Sequence, residues 1–453
     1  MAPPAEPGER PRPRVVIVGG GFGGLAAAEA LDGAELDVLL LDARNHHCFQ
    51  PLLYQAATAA LSVADIAWPI RHVLARQRNA TVLMATVHGV DADRHVVTSS
   101  AGDFGFDWLV LATGSTHSYF GHDDWESCAP SLKTVDDATS IRGRVLSAFE
   151  RAEAAETNEE RKRRLVFAIV GGGATGVELA GALAELARRT LPPEFRRATP
   201  GDARILLLEG GARLLPSFPE SLSDHAERRL AAMGVEVRTG ATVDDVREDA
   251  LTVGGERIEV GGAILWAAGV RASPAASWVG ARADRSGRVQ VGPDLSLPGR
   301  PNIFVVGDTA LAKDDRGREA PGLAAAAKQM GRYAGKTIRA RCEGRTRSVP
   351  FRYRDYGSLA TIGRNSAIVS MGRLRLTGFV GWLFWSAVHI YFLIGLRTRF
   401  FVAINWAWTY LTDQRGARLI LAPRDVARQK RRPAEHVDPG TAGTSPQERL
   451  RHE

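Results

Sequence analysis

Short runs of consecutive apolar residues, each followed by a glycine-rich turn and an alanine-rich segment, recur along this chain. The first run covers residues 15–18, and a second, VLLLD, ends at Asp42 after the alanine-rich segment. A continuous apolar run of four or five residues fits a strand that is buried on both faces of a parallel sheet. The pattern therefore predicts a strand, a helix and a second strand within residues 15–42.

The turn after the first strand contains Gly19, Gly21 and Gly24 in the spacing G-x-G-x-x-G. The first glycine permits a tight turn, the second lets the backbone approach a pyrophosphate, and the third lets helix and strand pack closely. Asp42, at the end of the second strand, is placed to bond a ribose hydroxyl. Because strand, glycines, helix and acid all agree, we expect a Rossmann-like dinucleotide site rather than an ordinary glycine-rich turn.

The same pattern returns within residues 165–186. Gly171, Gly173 and Gly176 follow an apolar run, and the next run, RILLLE, ends at Glu209. The repeat indicates either two dinucleotide sites or a duplication with one inactive copy, and the completeness of both units favours two sites. Glu209 favours NADH over NADPH, because a carboxylate bonds the 2′-hydroxyl but repels a 2′-phosphate.

Further strand ends consist of small residues, which let the backbone approach a ligand closely. These residues are Ala112, Thr113 and Gly114 after one strand, Gly269 after another, and Gly307 with Asp308 after a third. The Asp308 carboxylate suits a sugar-alcohol chain, and it equally suits a helix N-cap. A helix predicted to begin near Pro321 and Gly322 has an almost bare N-terminus, whose dipole favours developing negative charge on a flat ring.

Composition indicates a globular protein of two or three domains, with 453 residues, 45% hydrophobic and 24% charged. The formal charge of +7 predicts an acidic partner, such as an anionic membrane surface, a dinucleotide or a nucleic acid. No nucleic-acid-binding motif supports the last of these. Cys48, Cys128 and Cys342 lie too far apart for a dithiol motif, and the adjacent His46 and His47 lack supporting ligands, so no metal site is expected.

The paired glycine motifs resemble those of the type II NADH dehydrogenases, which are single-subunit, non-pumping NADH:quinone oxidoreductases. The resemblance rests on NHHCFQPLLYQAAT, HSYFGHDDWE, GGGATGVELAGALAEL, LWAAGVRASP, IFVVGDTA, SLATIGRNSAI and a C-terminal VHIYFLIGLRTRFFVAINWAWTYLTDQRGARLI. It covers residues 14–420. It implies FAD at the first unit, with the A-T-G and Gly307-Asp308 turns, and NADH at the second unit, with Glu209 and Gly269.

The resemblance also implies two catalytic residues. Glu178, which ends the second glycine motif, is implicated at the flavin and nicotinamide; alternatively, it is a first-turn helix acid stabilised by the dipole. Gln329 is the second glutamine of an A-Q-x-A-x-Q segment that faces the quinone. The first glutamine is replaced here by Ala325, which removes one polar contact to a quinone carbonyl. Lys328 either substitutes for it or is simply solvated.

The C-terminal region has a nineteen-residue stretch, residues 378–396, without acid, lysine or arginine. It is long enough to cross a bilayer, but the following apolar run, residues 400–411, is too short to return. A single crossing would export the basic residues 424–432, against the positive-inside tendency. We therefore favour helices lying in the membrane interface, with their tryptophans and arginines at headgroup level and the basic run attracted to anionic lipid. These residues are Trp382, Trp385, Trp406, Trp408, Arg397 and Arg399.

The predicted architecture is α/β, with two Rossmann-like dinucleotide-binding domains and a C-terminal helical membrane-docking segment. The FAD domain is expected at residues 12–120 and 291–350, with the NADH domain, residues 121–290, inserted in it. Residues 351–420 are expected to associate with the membrane. The two ends, residues 1–11 and 421–453, are predicted to be disordered.

The resemblance implies hydride transfer from NADH to FAD and then transfer of two electrons to a membrane quinone. The expected location is the cytoplasmic face of the cell membrane, with peripheral attachment, no proton pumping and a homodimer through the C-terminal region. Two other classes stay open. A soluble flavin reductase for disulfides or peroxide is opposed by the absence of a cysteine pair, and a non-catalytic FAD/NADH redox sensor is kept open by the substitution at Ala325.

Overall fold

The computed structural model describes residues 12–314, 317–345 and 349–421. The strands are β1 Arg14–Val18, β2 Asp37–Asp42, β3 His46–Cys48, β4 Ala67–Pro69, β5 Ala80–Met84, β6 Val87–Asp91, β7 Val96–Ser99, β8 Gly102–Gly105, β9 Trp108–Leu111, β10 Ser115–His117, β11 Val166–Val170, β12 Arg204–Glu209, β13 Val235–Thr239, β14 Val243–Val246, β15 Ala250–Val253, β16 Glu256–Glu259, β17 Ala263–Trp266, β18 Val270–Ala272, β19 Val289–Gln290, β20 Ser296–Leu297, β21 Arg300–Val305, β22 Ala310–Leu311, β23 Ser358–Thr361, β24 Ala367–Met371 and β25 Leu374–Leu376. The helices are α1 Phe22–Ala30, α2 Leu53–Ala57, α3 Ile70–Val73, α4 Val135–Ala154, α5 Asn158–Arg164, α6 Ala174–Glu185, α7 Glu220–Ala232, α8 Ala275–Trp278, α9 Ala324–Cys342, α10 Gly378–Phe392 and α11 Leu396–Thr412.

Two sheets, one parallel except for its edge strand and one entirely parallel, form the cores of the two nucleotide-binding units, so the predicted α/β class is confirmed. The first sheet has the order β20-β21-β9-β1-β2-β5, in which β20 pairs antiparallel with β21 and the other pairs are parallel. The second has the order β13-β12-β11-β17 and is entirely parallel. Both β1 and β11 are interior strands, and their central residues are completely buried, as the continuous apolar runs predict.

The second sheet is formed within the chain segment that separates the strands of the first. After β9 the chain forms β11, β12, β13 and β17, and it then returns to the first sheet with β20 and β21. On its return Ile303 pairs with Leu109 of β9. This nested order places the glycine turns of both units at carboxyl ends of parallel strands, where open α/β sheets bind ligands.

Helix α9 lies directly against α1 because each helix has only glycine and alanine residues at the points of closest contact. A Cβ on Gly331 would lie 1.9 Å from the Gly23 carbonyl oxygen, and one on Gly335 would lie 2.6 Å from the Ala27 carbonyl oxygen. Real side chains do not approach that closely, so only glycine allows this contact. The packing brings the N-terminus of α9, at Ala324, close to the first glycine turn.

The C-terminal region is an antiparallel sheet, β23-β24-β25, followed by α10 and α11. The apolar stretch 378–396 does not form one helix, because α10 ends at Phe392 and Gly395 adopts φ +78° before α11 begins. Among the described residues, no helix combines the length and apolarity needed to cross a bilayer. The predicted tails, residues 1–11 and 421–453, lie outside the described part of the chain except for residue 421.

Candidate functional site

The first glycine turn makes backbone contacts that leave no room for a side chain at its first and third glycines. Gly19 adopts φ +104°, and a Cβ there would lie 2.3 Å from the Ala112 carbonyl oxygen; one on Gly24 would lie 1.8 Å from the Gly19 carbonyl oxygen. A Cβ on Gly21, in contrast, would meet no atom within 4 Å. The turn is therefore packed against the protein on one side and open on the other, at the N-terminus of α1. That is the geometry needed for a phosphate to bind the helix N-terminus.

The second glycine turn repeats this geometry. Gly171 adopts φ +111°, with a Cβ position 2.7 Å from the Ala267 carbonyl carbon, and the Cβ position of Gly176 lies 1.8 Å from the Gly171 carbonyl oxygen. A Cβ on Gly173 would meet nothing within 4 Å. Both turns thus fit a dinucleotide for the same reason. Each leaves open space at a helix N-terminus, which a Cβ on its middle glycine would begin to fill.

The acidic residues at the strand ends have a second role that the sequence analysis missed. Asp42 accepts hydrogen bonds from the amides of Gly20, at 2.6 Å, and Arg44, at 2.7 Å. Glu209 likewise accepts from the amides of Gly172, at 2.5 Å, and Gly211, at 2.6 Å. Each carboxylate therefore ties the glycine turn to the adjacent strand. Because a carboxylate oxygen has more than one acceptor site, a ribose hydroxyl can still bind.

The A-T-G turn and the turn at Gly307 meet beside β10. Asp308 accepts a hydrogen bond from the Ser115 hydroxyl at 2.7 Å, and its carboxylate lies 3.9 Å from the Lys133 Nζ. Thr309 donates to the Gly114 carbonyl oxygen at 3.2 Å. Asp308 does not cap α9, whose N-cap is Leu323, so the N-cap alternative is wrong for that helix. The residue is instead part of a polar group that includes the cation of Lys133.

A cavity of about 390 Å³, the reaction cavity below, lies between the two glycine turns and the C-terminal region. Its lining is mainly apolar or small, with a few polar side chains, as is usual for small-molecule sites. The titratable residues that line it are Lys133, Glu178, Lys328, Tyr54 and His389. The α9 residues in its wall include Ala324 and Ala325. Metal-binding clusters of three or more histidine, cysteine, aspartate or glutamate side chains are absent from the described ranges.

Glu178 faces the reaction cavity from the second turn of α6. No acid lies in the first turn of α6, so the first-turn alternative is wrong. Its carboxylate accepts one hydrogen bond, from the Thr361 amide at 3.3 Å. Desolvation outweighs this bond and raises the pKa of Glu178 to about 8, so the carboxyl group is mostly protonated near neutral pH. A buried, neutral carboxylic acid beside a cavity is a suitable proton donor.

Gln329 does not line the reaction cavity. Its side chain is paired with the backbone of Arg354, and the cavity wall of α9 is formed by Ala324, Ala325 and Lys328. The expected contact of Gln329 with a quinone therefore stays a prediction that this cavity does not support. The sequence could not reveal the pairing, because residue 354 lies in a segment without helical or strand periodicity.

His389 is a lining residue that the sequence analysis did not single out. It stacks on Trp385 with ring centroids 4.0 Å apart, and its Nδ1 lies 2.8 Å from the Trp385 carbonyl oxygen. Because a carbonyl only accepts, Nδ1 carries the proton. Burial lowers the pKa of His389 to about 4, so the ring is neutral. Its Nε2 is consequently a hydrogen-bond acceptor.

Comparison with known proteins agrees with this geometry. Residues 13–331 match the family model for pyridine nucleotide-disulphide oxidoreductases, and residues 356–414 match the NDH2 C-terminal domain. The NDH2 of Plasmodium falciparum, whose structure was solved in complex with NADH, superposes with a TM-score of 0.83 at 21% identity, over 91% of this chain and 100% of that one. The sulfide:quinone oxidoreductase of Aquifex aeolicus has a TM-score of 0.68 at 19% identity, over 85% and 91%. These likenesses establish the fold.

Sequence comparison establishes the family. The type II NADH:quinone oxidoreductase Ndh of Mycobacterium tuberculosis is 42% identical over 446 residues, which cover 95% of this chain and 95% of the relative. The type II NADH:quinone oxidoreductase NdhA of the same organism is 42% identical over 433 residues, covering 92% and 91%. Both matches extend over both nucleotide-binding units and the C-terminal region. The chain therefore belongs to the family of type II NADH:quinone oxidoreductases.

Proposed function

We propose that this protein oxidises NADH and reduces a quinone, with FAD as the cofactor. One observation supports this most directly: residues of both glycine motifs, Phe22 in the first and Ala174 and Thr175 in the second, line a single cavity whose wall also includes part of the C-terminal region. The M. tuberculosis relatives are named for this reaction. The overall balance is NADH, one proton and a quinone giving NAD⁺ and a quinol.

FAD is assigned to the first unit and the adjoining turns. The residues proposed to hold it are Gly19, Gly21, Gly24, Asp42, Ala112, Thr113, Gly114, Gly307 and Asp308. The open N-terminus of α1 would receive the pyrophosphate, and Asp42 the ribose. When bound, FAD would supply the two-electron redox chemistry that links NADH to the quinone. The bare N-terminus of α9 directs its dipole toward the same region.

NADH is assigned to the second unit. The residues proposed to hold it are Gly171, Gly173, Gly176, Glu209 and Gly269. The carboxylate of Glu209 supplies the preference for NADH over NADPH. A nearby cation would reverse this preference, but Arg213 is engaged with the Phe218 and Pro216 carbonyl oxygens and the Ser223 hydroxyl. The second unit therefore favours NADH.

The quinone is assigned to the side of the reaction cavity where Ala325, Lys328 and His389 lie. Glu178 is proposed to give a proton to a quinone oxygen as the electrons arrive, because it is held neutral beside the cavity. The acceptor Nε2 of His389 suits the hydroxyl of the quinol product. Gln329 is proposed to act indirectly, by fixing the segment around Arg354 to α9.

The C-terminal helices are proposed to dock on the cytoplasmic face of the cell membrane. Large apolar side chains are exposed on α10 and α11; they include Phe379, Val380, Tyr391, Leu396, Phe400, Phe401, Ile404, Trp408 and Leu411. Such faces bury in the lipid interface, and Arg397 and Arg399 would reach phosphates. Trp385 is not at this surface, because it is buried inside the protein, and Trp406 is half-buried beside it, with the two ring centroids 5.3 Å apart. We further propose the domain division given above and a homodimer through the C-terminal region.

The test is anaerobic and separates the two half-reactions. The FAD-loaded protein in lipid nanodiscs is mixed with one equivalent of NADH, and then with ubiquinone or menaquinone analogues, while flavin absorbance is followed. Rapid bleaching and rapid recovery with a quinone are expected. Bleaching without recovery for any quinone would contradict the quinone assignment and favour a redox sensor. Recovery with peroxide or a disulfide instead would favour the soluble reductase class.

A further inference from the structure

A second, smaller cavity lies on the other side of Tyr54 from the reaction cavity. Its volume is about 90 Å³, enough for about three water molecules. It is enclosed by the C-terminal end of α6, β23, α10 and α11, and its polar lining includes Tyr54, Glu185, Thr361 and Arg415. Trp385 also lines this cavity. Its indole N–H is buried and has no hydrogen-bond partner in the described part of the chain. An unpartnered donor beside a polar cavity of this size indicates bound water.

Glu178 and Glu185 are two partly buried carboxyl groups on one face of α6. Seven residues separate them, which is two helical turns or about 10 Å. Glu178 lines the reaction cavity and Glu185 lines the smaller one. Glu185 accepts hydrogen bonds from the Arg415 guanidinium, at 3.2 Å, and from the Arg364 amide. Burial raises the pKa of the Glu185 carboxyl group in spite of these partners.

The chain leaves the α-helical form directly after Glu185. Residues Leu186–Thr190 form a π-helical turn, and Arg189 and Thr190 of that turn line the smaller cavity. Such π turns are uncommon, and they occur frequently at functional sites. Two arginines, Arg364 and Arg415, and the Asp413 carboxylate complete the charged lining. The polar end of α6 thus forms part of the wall of this cavity.

Among the described residues, Tyr54 alone lines both cavities. Its hydroxyl group lies 2.8 Å from the Thr361 hydroxyl oxygen and 3.0 Å from the Gln55 Nε2. The Trp406 indole N–H lies 2.8 Å from the Gln55 Oε1. Because an indole N–H only donates, it fixes the orientation of the Gln55 amide, which then donates to Tyr54. In the bond between Tyr54 and Thr361 either hydroxyl group can donate, and the Thr361 amide donates to the Glu178 carboxyl group.

Quinone reduction requires one proton from solvent for each NADH oxidised. In the proposed function, bound NADH would shield the reaction cavity from water on one side, and lipid would shield it on another. The proton must still reach this cavity. Hydroxyl groups bonded in a chain can transfer a proton without holding a net charge, because each accepts one proton as it releases another. The Tyr54 and Thr361 hydroxyl groups are bonded to each other and form the central link of such a chain, because Tyr54 lines both cavities and the Thr361 amide is bonded to Glu178.

We propose that Tyr54 and Thr361 relay protons from water in the smaller cavity, on the Glu185 side, to Glu178, which gives them to the quinone. This inference rests on the proposed function and assigns it a proton route. Tyr54 and Thr361 are positioning and relay residues, and Glu178 is the group that meets the substrate. No bond other than those to the transferred proton is made or broken along the route.

The first test measures the quinone half-reaction in the full-length, FAD-loaded protein. In Tyr54→Phe we expect quinone-dependent recovery of flavin absorbance to slow at least tenfold, with a larger solvent deuterium isotope effect and an unchanged quinone KM. Bleaching by NADH should keep its rate, because hydride transfer needs no proton from this route. Thr361→Val should behave like Tyr54→Phe, and Thr361→Ser, which keeps the hydroxyl, should recover most of the rate. Tyr333→Phe, which removes another buried tyrosine hydroxyl, is the matched control.

The second test needs neither NADH nor quinone. The infrared carbonyl stretch of protonated Glu178, identified by its loss in Glu178→Gln, shifts when the protein is transferred to D₂O. We expect Tyr54→Phe and Thr361→Val to slow this exchange at least tenfold, and Tyr333→Phe to leave it unchanged. If exchange and isotope effect match the wild type in both variants, the relay is wrong. A raised quinone KM with a normal isotope effect would likewise overturn it, since that result indicates packing alone.

The two tests separate failure of the relay from failure of the proposed function. If the wild-type protein reduces no quinone, the proposed function fails, and carboxyl exchange still decides whether protons reach Glu178 through Tyr54. If the wild type reduces quinone and the variants match it, the relay alone fails. A variant that does not fold is replaced by the other, because Tyr54 and Thr361 belong to different elements, α2 and β23.

Discussion

Gln329 and Arg354 are joined by two hydrogen bonds. The Gln329 amide donates from Nε2 to the Arg354 carbonyl oxygen at 2.9 Å, and its Oε1 accepts from the Arg354 amide at 2.9 Å. The side chain thus completes a backbone pairing and ties α9 to the segment that leads into β23. Its contribution to quinone reduction is expected to be structural, through the position of that segment.

We expect Gln329→Ala to lower the free energy of unfolding by about 1–2 kcal/mol, because two hydrogen bonds are lost at a partly exposed site. The quinone half-reaction should change by less than about threefold, since Gln329 does not line the reaction cavity. Denaturant unfolding and flavin reoxidation measure the two quantities. A large loss of reoxidation rate with an unchanged unfolding midpoint would show that Gln329 contacts the quinone directly.

Ala325→Gln is the complementary change, because Ala325 does line the cavity. A glutamine there would place an amide donor within reach of a quinone carbonyl. One hydrogen bond of about 1 kcal/mol corresponds to an affinity gain of about fivefold. We expect the quinone KM to fall by roughly that factor, while bleaching by NADH is unchanged. An unchanged or higher KM would show that the quinone does not reach this part of α9.

The predictability of these features depends on how far apart in sequence the partners are. The glycine turns are local and repeated, so Gly19 and Gly171 identify both units. Tyr54 and Thr361 are separated by 307 residues, and neither has a pattern that indicates the other. The sequence does contain a sign of the bond between Asp42 and the Gly20 amide, because an acidic residue ends the strand after each glycine motif. The glycine motif by itself predicts only the ribose contact of this acid.

The C-terminal region shows the same limit. Composition alone predicted an apolar, tryptophan-rich segment near a boundary, and residues 378–396 were long enough for one continuous helix. The break at Gly395 depends on a positive φ that a hydropathy average does not detect. The inward position of Trp385 depends on the packing of α10 against β24, where a Cβ on Gly381 would lie 2.5 Å from the Ala367 carbonyl oxygen.

The two open glycines give a matched pair of variants. A methyl group at Gly21 or Gly173 meets no protein atom within 4 Å, so each variant should fold. Gly21→Ala is expected to reduce FAD content, because the new Cβ would occupy the space of the pyrophosphate. Gly173→Ala should keep its FAD and raise the NADH KM about tenfold or more. Flavin absorbance and steady-state kinetics measure both, and exchange of the two phenotypes would reverse the cofactor assignment.

Glu209→Gln tests the preference for NADH. The amide keeps one acceptor oxygen for the Gly172 N–H, loses the oxygen that accepts from the Gly211 N–H, and removes the charge that repels a 2′-phosphate. We expect discrimination against NADPH, measured as the ratio of kcat/KM values, to fall about tenfold. Asp42→Asn is the control in the first unit and should leave this ratio unchanged. An unaltered ratio in Glu209→Gln would place the ribose elsewhere.

Membrane docking is tested at the most exposed apolar side chains. Leu396 is 81% exposed and Leu411 is 78% exposed. Replacement of both by glutamate should reduce binding to anionic lipid vesicles at least tenfold, because apolar area no longer enters the interface. Met84→Glu, at an apolar residue that is 65% exposed on β5, is the control and should bind normally. Equal loss in the control would indicate a general charge effect.

The pH dependence should report the Glu178 carboxyl group. Its pKa of about 8 means that the proton-donating form is present at neutral pH and is lost as the pH rises through about 8. We expect the quinone half-reaction of the wild type to slow above that pH, while bleaching by NADH changes little. Glu178→Gln should be slow at every pH, with no inflection near 8. A wild-type inflection that persists in Glu178→Gln would assign it to another group.

Stability gives an independent measurement of the same pKa. The folded-state value, about 8, exceeds the ordinary value of 4.5, so the folded protein holds a proton that the unfolded chain has released between these limits. The free energy of unfolding contributed by this group is therefore greatest below about pH 4.5 and declines as the pH rises toward 8. Glu178→Gln cannot lose a proton, so its stability relative to wild type should increase over that interval. A stability difference that does not change with pH would show that Glu178 is ionised in the folded protein, and it could then not serve as the proton donor.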